Sequence, residues 1–437
     1  METKPTEAEA TAPEGPWWAR PGLDAVAGRL IIAGRDAESL ARERGTPLMA
    51  YDLTHAQERL RDLRAAFERA GVPHRLRIAL KAQRSPEFLA AVRALGGPGE
   101  PGAVGIDACS PGEVEHALAN GFPAEEISVT GTNFTDLDLA AILSHPVHVN
   151  ADLITQLDRI GRLSPGRHVG LRLNPRAGAV NARSGAALYS SERPTKFGVY
   201  VEDLEHAVEV AQRHGLVLDT AHFHLANGIL DEDLPAFDHA VAAIARMVER
   251  LVELGCPIGE INAGGGLGVA CHAWQQPLDL DAYVAILREH LGRFGTLVSC
   301  EPGEYVSALS GTLLAEVATV EDRLGHRFAG LNVGWNVVNH RMVYDLTVPV
   351  VHTTSADSPA TQQVTFTGNI NEGPDVFADD FPFPEVREGD VVALLGVGCY
   401  TLTNYHPHCL RPPATSVFFA DRVRTLSPVA FDGRDEG

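Results

Sequence analysis

Between Tyr51 and Pro302, short apolar and β-branched runs recur, each followed by a polar or Gly-rich turn and then by a segment with helical spacing. Eight runs read as strands: residues 75–81, 103–107, 127–131, 147–150, 168–174, 218–225, 258–263 and 296–301. Apolar positions three and four apart mark helices between them, as in residues 86–95 (PEFLAAVRAL), 112–119 (GEVEHALA) and 238–254. Strands that alternate with helices imply βαβ units on a parallel sheet. Eight units over about 250 residues is the count and size of a closed (β/α)₈ TIM-type barrel, expected here over residues 51–305. Alternation alone also admits an open doubly wound sheet.

After Pro302 the texture changes. Runs at residues 313–320, 347–353, 363–367, 390–395 and 416–420 are short, with Gly, Pro, Asn and Asp between them and no long helical pattern. That predicts a mostly antiparallel β domain, formed by residues 306–437 together with residues 21–50. Residues 1–15 are acidic and rich in Ala, Pro and Glu, without the basic start and apolar run of a signal peptide. The expectation is a disordered tail over residues 1–20 of a cytoplasmic protein.

The formal charge of −21 disfavours nucleic acid and anionic membrane as partners, since both need basic surface. No run approaches the roughly 18 apolar residues of a membrane span. Six cysteines are scattered without a CxxC pair, which fits reduced thiols and neither a disulfide framework nor a zinc site. No metal is expected.

In such a barrel the active site lies at the C-terminal rim, so polar residues that close strands are the first candidates. They are Lys81, Asp107, Thr130, Asn150, Arg172 with Asn174, His222 with His224, the turn at Gly264, Gly265 and Gly266, and Glu301. One unpaired charge on an apolar strand is costly to bury; several converging on one rim make a site. Taken singly, each has an ordinary explanation. Lys81 in RIALKAQ reads as a lysine snorkelling from a strand end, or as a Schiff-base lysine whose pKa is depressed by burial and neighbouring cations. INAGGGLG reads as a tight βα turn, or as a loop whose N–H groups cradle a phosphate. It matches neither the dinucleotide GxGxxG nor the Walker pattern. Glu301 in CEPGEY reads as a strand-end salt bridge, or as the partner of a protonated pyridine nitrogen. His224 and Arg172, met alone, are more often paired structure.

Together and in this order, YDLTHAQERL, RIALKAQ, GIDACSPGEVEHAL, VTGTNFTDLDL, GLRLNP followed by TKFGV, HFHLANG, INAGGGLG, CEPGEY, GNINEGPD and GCYTLTNYHPH form a recognisable set. The chain resembles the fold-type III decarboxylases that use pyridoxal 5′-phosphate (PLP), such as the diaminopimelate and ornithine decarboxylases. The resemblance spans residues 48–419. It implies a PLP barrel followed by a β domain, the architecture shared with alanine racemases, and a homodimer with shared active sites. It further implies that Lys81 carries PLP, Glu301 pairs with the pyridine nitrogen and His224 stacks on the ring. Gly264, Gly265 and Gly266 with Gly303 would hold the phosphate, Asp107 and Arg172 would support the site, and Tyr400 would reach the phosphate. Asn371 and Tyr400 of one chain would lie near Lys81 of the other.

Three departures bear on substrate and reaction. Asn371 in GNINEGPD stands where the family has a cysteine acid, and an amide cannot supply a proton at neutral pH. Glu304 in EPGE replaces an arginine, and in HFHLAN Ala226 and Asn227 replace a Gly and a phosphate-binding Ser. The reading is an α-decarboxylase acting on an amino acid or an amino-acid-derived intermediate, within an outlying subfamily. The alternatives are a PLP-dependent racemase or epimerase, and a catalytically impaired binding paralogue. Glu301 favours decarboxylation, because racemases of this fold place an arginine there. Glu304, Arg341, Asn371 and Glu372 are the substrate-binding candidates; the two glutamates suit a cationic or neutral distal group.

Overall fold

The computed structural model describes residues 16–97, 99–100, 102–177, 193–344 and 346–422. All eight expected strands are present: β1 (His74–Ala79), β2 (Val104–Ala108), β3 (Ile127–Gly131), β4 (His148–Ala151), β5 (His168–Arg172), β6 (Val217–His222), β7 (Glu260–Asn262) and β8 (Leu297–Cys300). Every neighbouring pair is parallel and β8 closes on β1, so the sheet is a barrel and not an open doubly wound layer. Strands covered on both faces are near-continuously apolar, and all five residues of β2 are buried.

Several strands stop before their polar closing residues. Lys81, His224 and Glu301 therefore lie just beyond β1, β6 and β8. Single bonds still tie the chain to its neighbours there: Leu80 N–H donates to Asp107 O (3.0 Å) and Glu301 N–H to Gly264 O (2.6 Å), while Ala82 N–H donates to Ala79 O (3.0 Å) and turns the chain at Lys81.

Local signals explain the helices on the outer ring. Leu53–Ala70 starts at Asp52, whose side chain accepts from His55 N–H, and ends at Gly71 in the left-handed region. Pro86–Arg93 and Pro111–Ala119 each begin with proline in the first turn, where its missing N–H costs nothing.

Beyond the barrel, β9 (Gly311–Arg323) is the spine of the second sheet. Its first half pairs with Leu48–Asp52 and with β14 (Val391–Leu395), and its second half with β10 (His326–Leu331). The sheet continues through β11 (Val350–His352), β12 (Gln362–Thr367) and β13 (Val376–Phe383), and β15 (Thr415–Phe419) adds to Leu48–Asp52. Only the β10–β12 and β15 pairings are parallel, so the domain is mostly antiparallel.

Two of these strands, β10 and β13, have no counterpart in the pattern of hydrophobic runs. In β13 the sequence VFADDFPF carries two aspartates and a proline, which an edge strand with an irregular register tolerates.

The N-terminal expectation also changes. Residues 1–15 lie outside the described residues, but Trp18 is 8% exposed and Arg20 donates to Leu309 O at 2.7 Å. Trp18, Leu30 and Leu40 pack with Leu314, Val351, Leu395 and Phe419 in a second core. Residues 16–20 are therefore packed against the β domain, because Trp18 has apolar partners and Arg20 a carbonyl partner there.

Candidate active site

The C-terminal rim of the barrel and the β-domain segment around residues 346–349 and 395–400 enclose a cavity of about 640 Å³. The strand register sets its floor. Arg172, His222 and Asn262 stand side by side on β5, β6 and β7, and Asp107 sits opposite Ala79 of β1. Of the residues expected at the site, Lys81, Asp107, Arg172, His224, Asn227, Gly265, Gly266, Glu301, Gly303, Glu304 and Tyr400 all line this cavity.

Gly264, Asn371, Glu372 and Arg341 do not line it. Gly264 lies behind the loop, with φ of +65° and no room for a Cβ, which would meet Phe223 O at 2.3 Å. Arg341 pairs with Asp379 outside the cavity. Asn371 and Glu372 are exposed on a turn held by Asp375, whose carboxylate accepts from Ile370 N–H and Trp335 N–H at 2.7 Å. Tyr400 also departs from expectation, since it reaches the cavity of its own chain. Its positive φ of 53° and a bond from its N–H to Ala82 O (3.0 Å) turn it back onto the barrel.

Lys81 Nζ donates to Asp107 Oδ2 at 3.0 Å and lies 3.4 Å from Cys109 Sγ. It is enclosed by the barrel, yet 46% of its side-chain surface faces the open cavity. The expected depression of its pKa does not appear. Burial pulls the amine down, but Asp107 and the other acidic groups around it outweigh burial and raise it well above its ordinary value. Its neighbours are acids rather than cations, so the free amine is an ammonium.

Two carboxyls on this floor are driven apart. Asp107 is pushed up to about 7 by burial and by the charge of Glu301, against the pull of Lys81. For Glu301 burial works upward too, but His222, Lys81 and Asn262 outweigh it and hold the carboxyl at about 2. The bonds that do this are His222 Nε2 to Glu301 Oε2 (3.2 Å) and Asn262 Nδ2 donating to Glu301 Oε1 (2.6 Å). Neighbouring acids with separated affinities for protons are what acid–base chemistry requires.

His224 is kept neutral by burial and by Arg172 and Lys81, and its Nδ1 accepts from Gly265 N–H at 3.2 Å. Arg172 is committed to buried Asp152 (3.1 Å) and lies over the Phe197 ring.

Asn262 and Cys109 went unnoticed as candidates. Asn262 organises two features at once, since its Oδ1 also accepts from Gly264 N–H at 2.9 Å. Cys109 is two residues after Asp107, and that spacing puts both on one side of an extended strand end.

The site fits PLP. A cavity of this size takes a cofactor and a small substrate together. Gly265, Gly266 and Gly303 present backbone without side chains; a Cβ on Gly266 would strike Ala226 O at 2.2 Å. Glu301 is an anion for a pyridinium, and Asp107 Oδ1 and His222 Nδ1 are buried with no hydrogen-bond partner.

A parallel barrel with a rim lysine, a paired anionic glutamate and a glycine cradle defines a class, the PLP-binding barrel enzymes. Residues 53–308 match the family model for the pyridoxal-dependent decarboxylase, pyridoxal binding domain. The chain is 31% identical over 402 residues to diaminopimelate decarboxylase of Methanothermobacter thermautotrophicus, covering 89% of this chain and 90% of that one. It is 27% identical to the diaminopimelate decarboxylase of Escherichia coli K12, covering 88% and 91%. The crystal structure of the M. jannaschii diaminopimelate decarboxylase with L-lysine shares the fold at a TM-score of 0.81 and 22% identity, over 91% and 92% of the two chains. The chain belongs to the pyridoxal-dependent decarboxylase family. It is a PLP-dependent amino-acid decarboxylase, and the racemase alternative finds no support among these relatives. No helix among the described residues is long and apolar enough to cross a membrane.

Proposed function

We propose that this decarboxylase carries PLP on Lys81, works as a homodimer, and prefers an amino acid whose distal group is cationic. The observation that carries the reading is Lys81 on the cavity floor, bonded to Asp107, with the anion of Glu301 fixed by His222 and Asn262.

Bound there, PLP supplies the electron sink for the pair left on the α-carbon as CO₂ departs. Glu301 would hold a proton on the pyridine nitrogen, and His224, being neutral, would lie against the ring without competing for that proton. Gly265, Gly266 and Gly303 would offer backbone to the phosphate, and Asn227 and Tyr400, which line the same cavity, would assist them. Arg172 and Asp107 keep the floor in place.

The preference rests on charge. Glu304 lines the cavity, the one arginine lining it among the described residues is already paired with Asp152, and Arg341 is paired outside it. Among the described residues a distal carboxylate would meet no uncommitted guanidinium there, whereas a distal ammonium would meet Glu304. The relatives' diaminopimelate carries a distal carboxylate as well as an amine, so specificity is expected to differ. The dimer is supported by the rim: Trp274, which lines the cavity, is 71% exposed, and Met342 and Val343 are exposed on the helix that begins at the cavity-lining His340. A partner's Asn371 turn is the complement we assign to that rim.

CO₂ release is to be measured over L- and D-amino acids that include diaminopimelate and monocarboxylic diamines. The best substrate should be a diamine, and Glu304→Arg should move the preference toward diaminopimelate. If diaminopimelate wins and Glu304→Gln changes nothing, the distal assignment is wrong. Mixing Lys81→Ala chains with Asn371→Ala chains should restore active sites, whereas mixing Lys81→Ala with Tyr400→Ala should not. A fully active monomer on sizing would rule out the dimer.

A further inference from the structure

Losing CO₂ leaves an electron pair on the α-carbon, and amine formation needs one proton there. The amide of Asn371 has no proton to give at neutral pH. The cavity floor, however, holds a group that the steps above leave unused. Cys109 Sγ is 3.4 Å from Lys81 Nζ. Its backbone is fixed by a bond from Cys109 N–H to Glu113 Oε2 (2.7 Å) in the turn that Ser110 caps. Asp107, 1% exposed and lining the same cavity, keeps Oδ1 without a hydrogen-bond partner. The Cys109 thiol and Oδ2 of Asp107 thus converge on the nitrogen that carries the cofactor.

We infer that Cys109 delivers the proton to the α-carbon, in place of the acid that Asn371 cannot be. The inference rests on the decarboxylase reading. The S–H bond breaks as the new C–H bond forms. The thiolate then takes a proton from the Lys81 ammonium beside it, which leaves a neutral amine able to recapture the cofactor. One solvent proton enters per turnover, replacing the CO₂ lost. Burial holds the Cys109 thiol up at about 12 against the pull of Lys81, so the group is protonated when the electron pair appears. His222 is less suited, being buried and bonded to Glu301.

The test uses PLP-loaded wild type, Cys109→Ala, Cys109→Ser and, as a control away from the cavity, Cys256→Ala. CO₂, amine and pyridoxamine phosphate are measured separately on the best substrate. Pyridoxamine phosphate forms when the proton lands on the cofactor instead of the α-carbon. Cys109→Ala should lower kcat on the order of 10²-fold with KM little changed. It should also release more CO₂ than amine and accumulate pyridoxamine phosphate. Cys109→Ser, which keeps the shape, should fall between Cys109→Ala and wild type, and Cys256→Ala should match wild type. Without turnover, methylmercury, which exchanges with the thiol proton and needs no standing thiolate, should label Cys109 in cofactor-free protein, and PLP should protect it. An active wild type alongside a Cys109→Ala enzyme of equal rate, with CO₂ and amine in equal amounts, would overturn this role alone. Labelling indifferent to PLP would overturn it as well. A wild type that releases no CO₂ from any amino acid would overturn the decarboxylase reading and this role with it.

Discussion

The two ends of the barrel each hold an ion pair, and the pairs differ in what surrounds them. At the N-terminal end Arg77 Nη1 meets Glu260 Oε1 at 2.6 Å, and Ser299 Oγ donates to the same oxygen at 2.6 Å. At the C-terminal end Lys81 meets Asp107 at 3.0 Å. The Arg77 side chain is 3% exposed and that of Lys81 is 46% exposed. One pair is sealed inside the strands, and the other opens onto a cavity of about 640 Å³. The residues also match their surroundings. Arg77 is a planar, permanently charged fork suited to holding a carboxylate. Lys81 is a flexible amine that can give up its charge, which a fork cannot. The barrel thus spends one end on stability and keeps chemistry at the other, as its topology allows.

Substitutions at the two ends should separate those roles. Glu260→Gln leaves Arg77 buried without its counter-charge and should cost about 3 kcal/mol of stability, read as a lowered denaturation midpoint. Turnover per folded molecule should stay near wild type. A variant as stable as wild type would make the lower pair dispensable and erase the contrast.

Glu301→Gln should do the reverse, lowering kcat on the order of 10²-fold, the scale of one well-placed electrostatic partner, while cofactor-loaded protein stays folded. It also has a pH signature in the cofactor-free protein. Glu301 is held at about 2, below its ordinary 4.5. Its contribution to stability is therefore fully present above pH 4.5 and is lost as pH falls from there toward 2. Wild type should lose stability across that window more steeply than Glu301→Gln; parallel curves would mean that His222 and Asn262 do not hold the anion.

The smallest effect is expected at Glu372. Its pairing with His408 at 3.2 Å is largely exposed, so Glu372→Ala should change stability by less than about 1 kcal/mol. A larger loss would mean that the turn is buried in an assembly.

How much of this was legible in the sequence follows the same division. The barrel was readable because each strand is a short apolar run ending in a polar residue, and the rim follows from those endings. Lys81 was more strongly marked than its motif alone suggests, because the chain has only three lysines: Lys4, Lys81 and Lys196. Asn262 and Cys109 were harder to see. Each matters through a neighbour from another strand, Glu301 and Lys81 respectively, and single-strand patterns carry no cross-strand distances. The sign of the Lys81 shift was misread for that reason, since its nearest charge, Asp107, comes from the next strand. In the β domain, Tyr400 was assigned to the wrong chain's cavity, because the backward turn at its positive φ leaves no mark in a hydrophobic pattern. The edge strand β13 was hidden by Asp379, Asp380 and Pro382, which its exposed side tolerates.

The central claim is that Lys81 carries the cofactor. The direct test is to load the protein with PLP, reduce the lysine–cofactor linkage with borohydride, and map the modified peptide by mass spectrometry. With three lysines in the chain the result is unambiguous. The phosphopyridoxyl mass should appear on the peptide containing Lys81 and vanish in Lys81→Ala. Modification on Lys196 or Lys4 instead, or undiminished modification in Lys81→Ala, would contradict it.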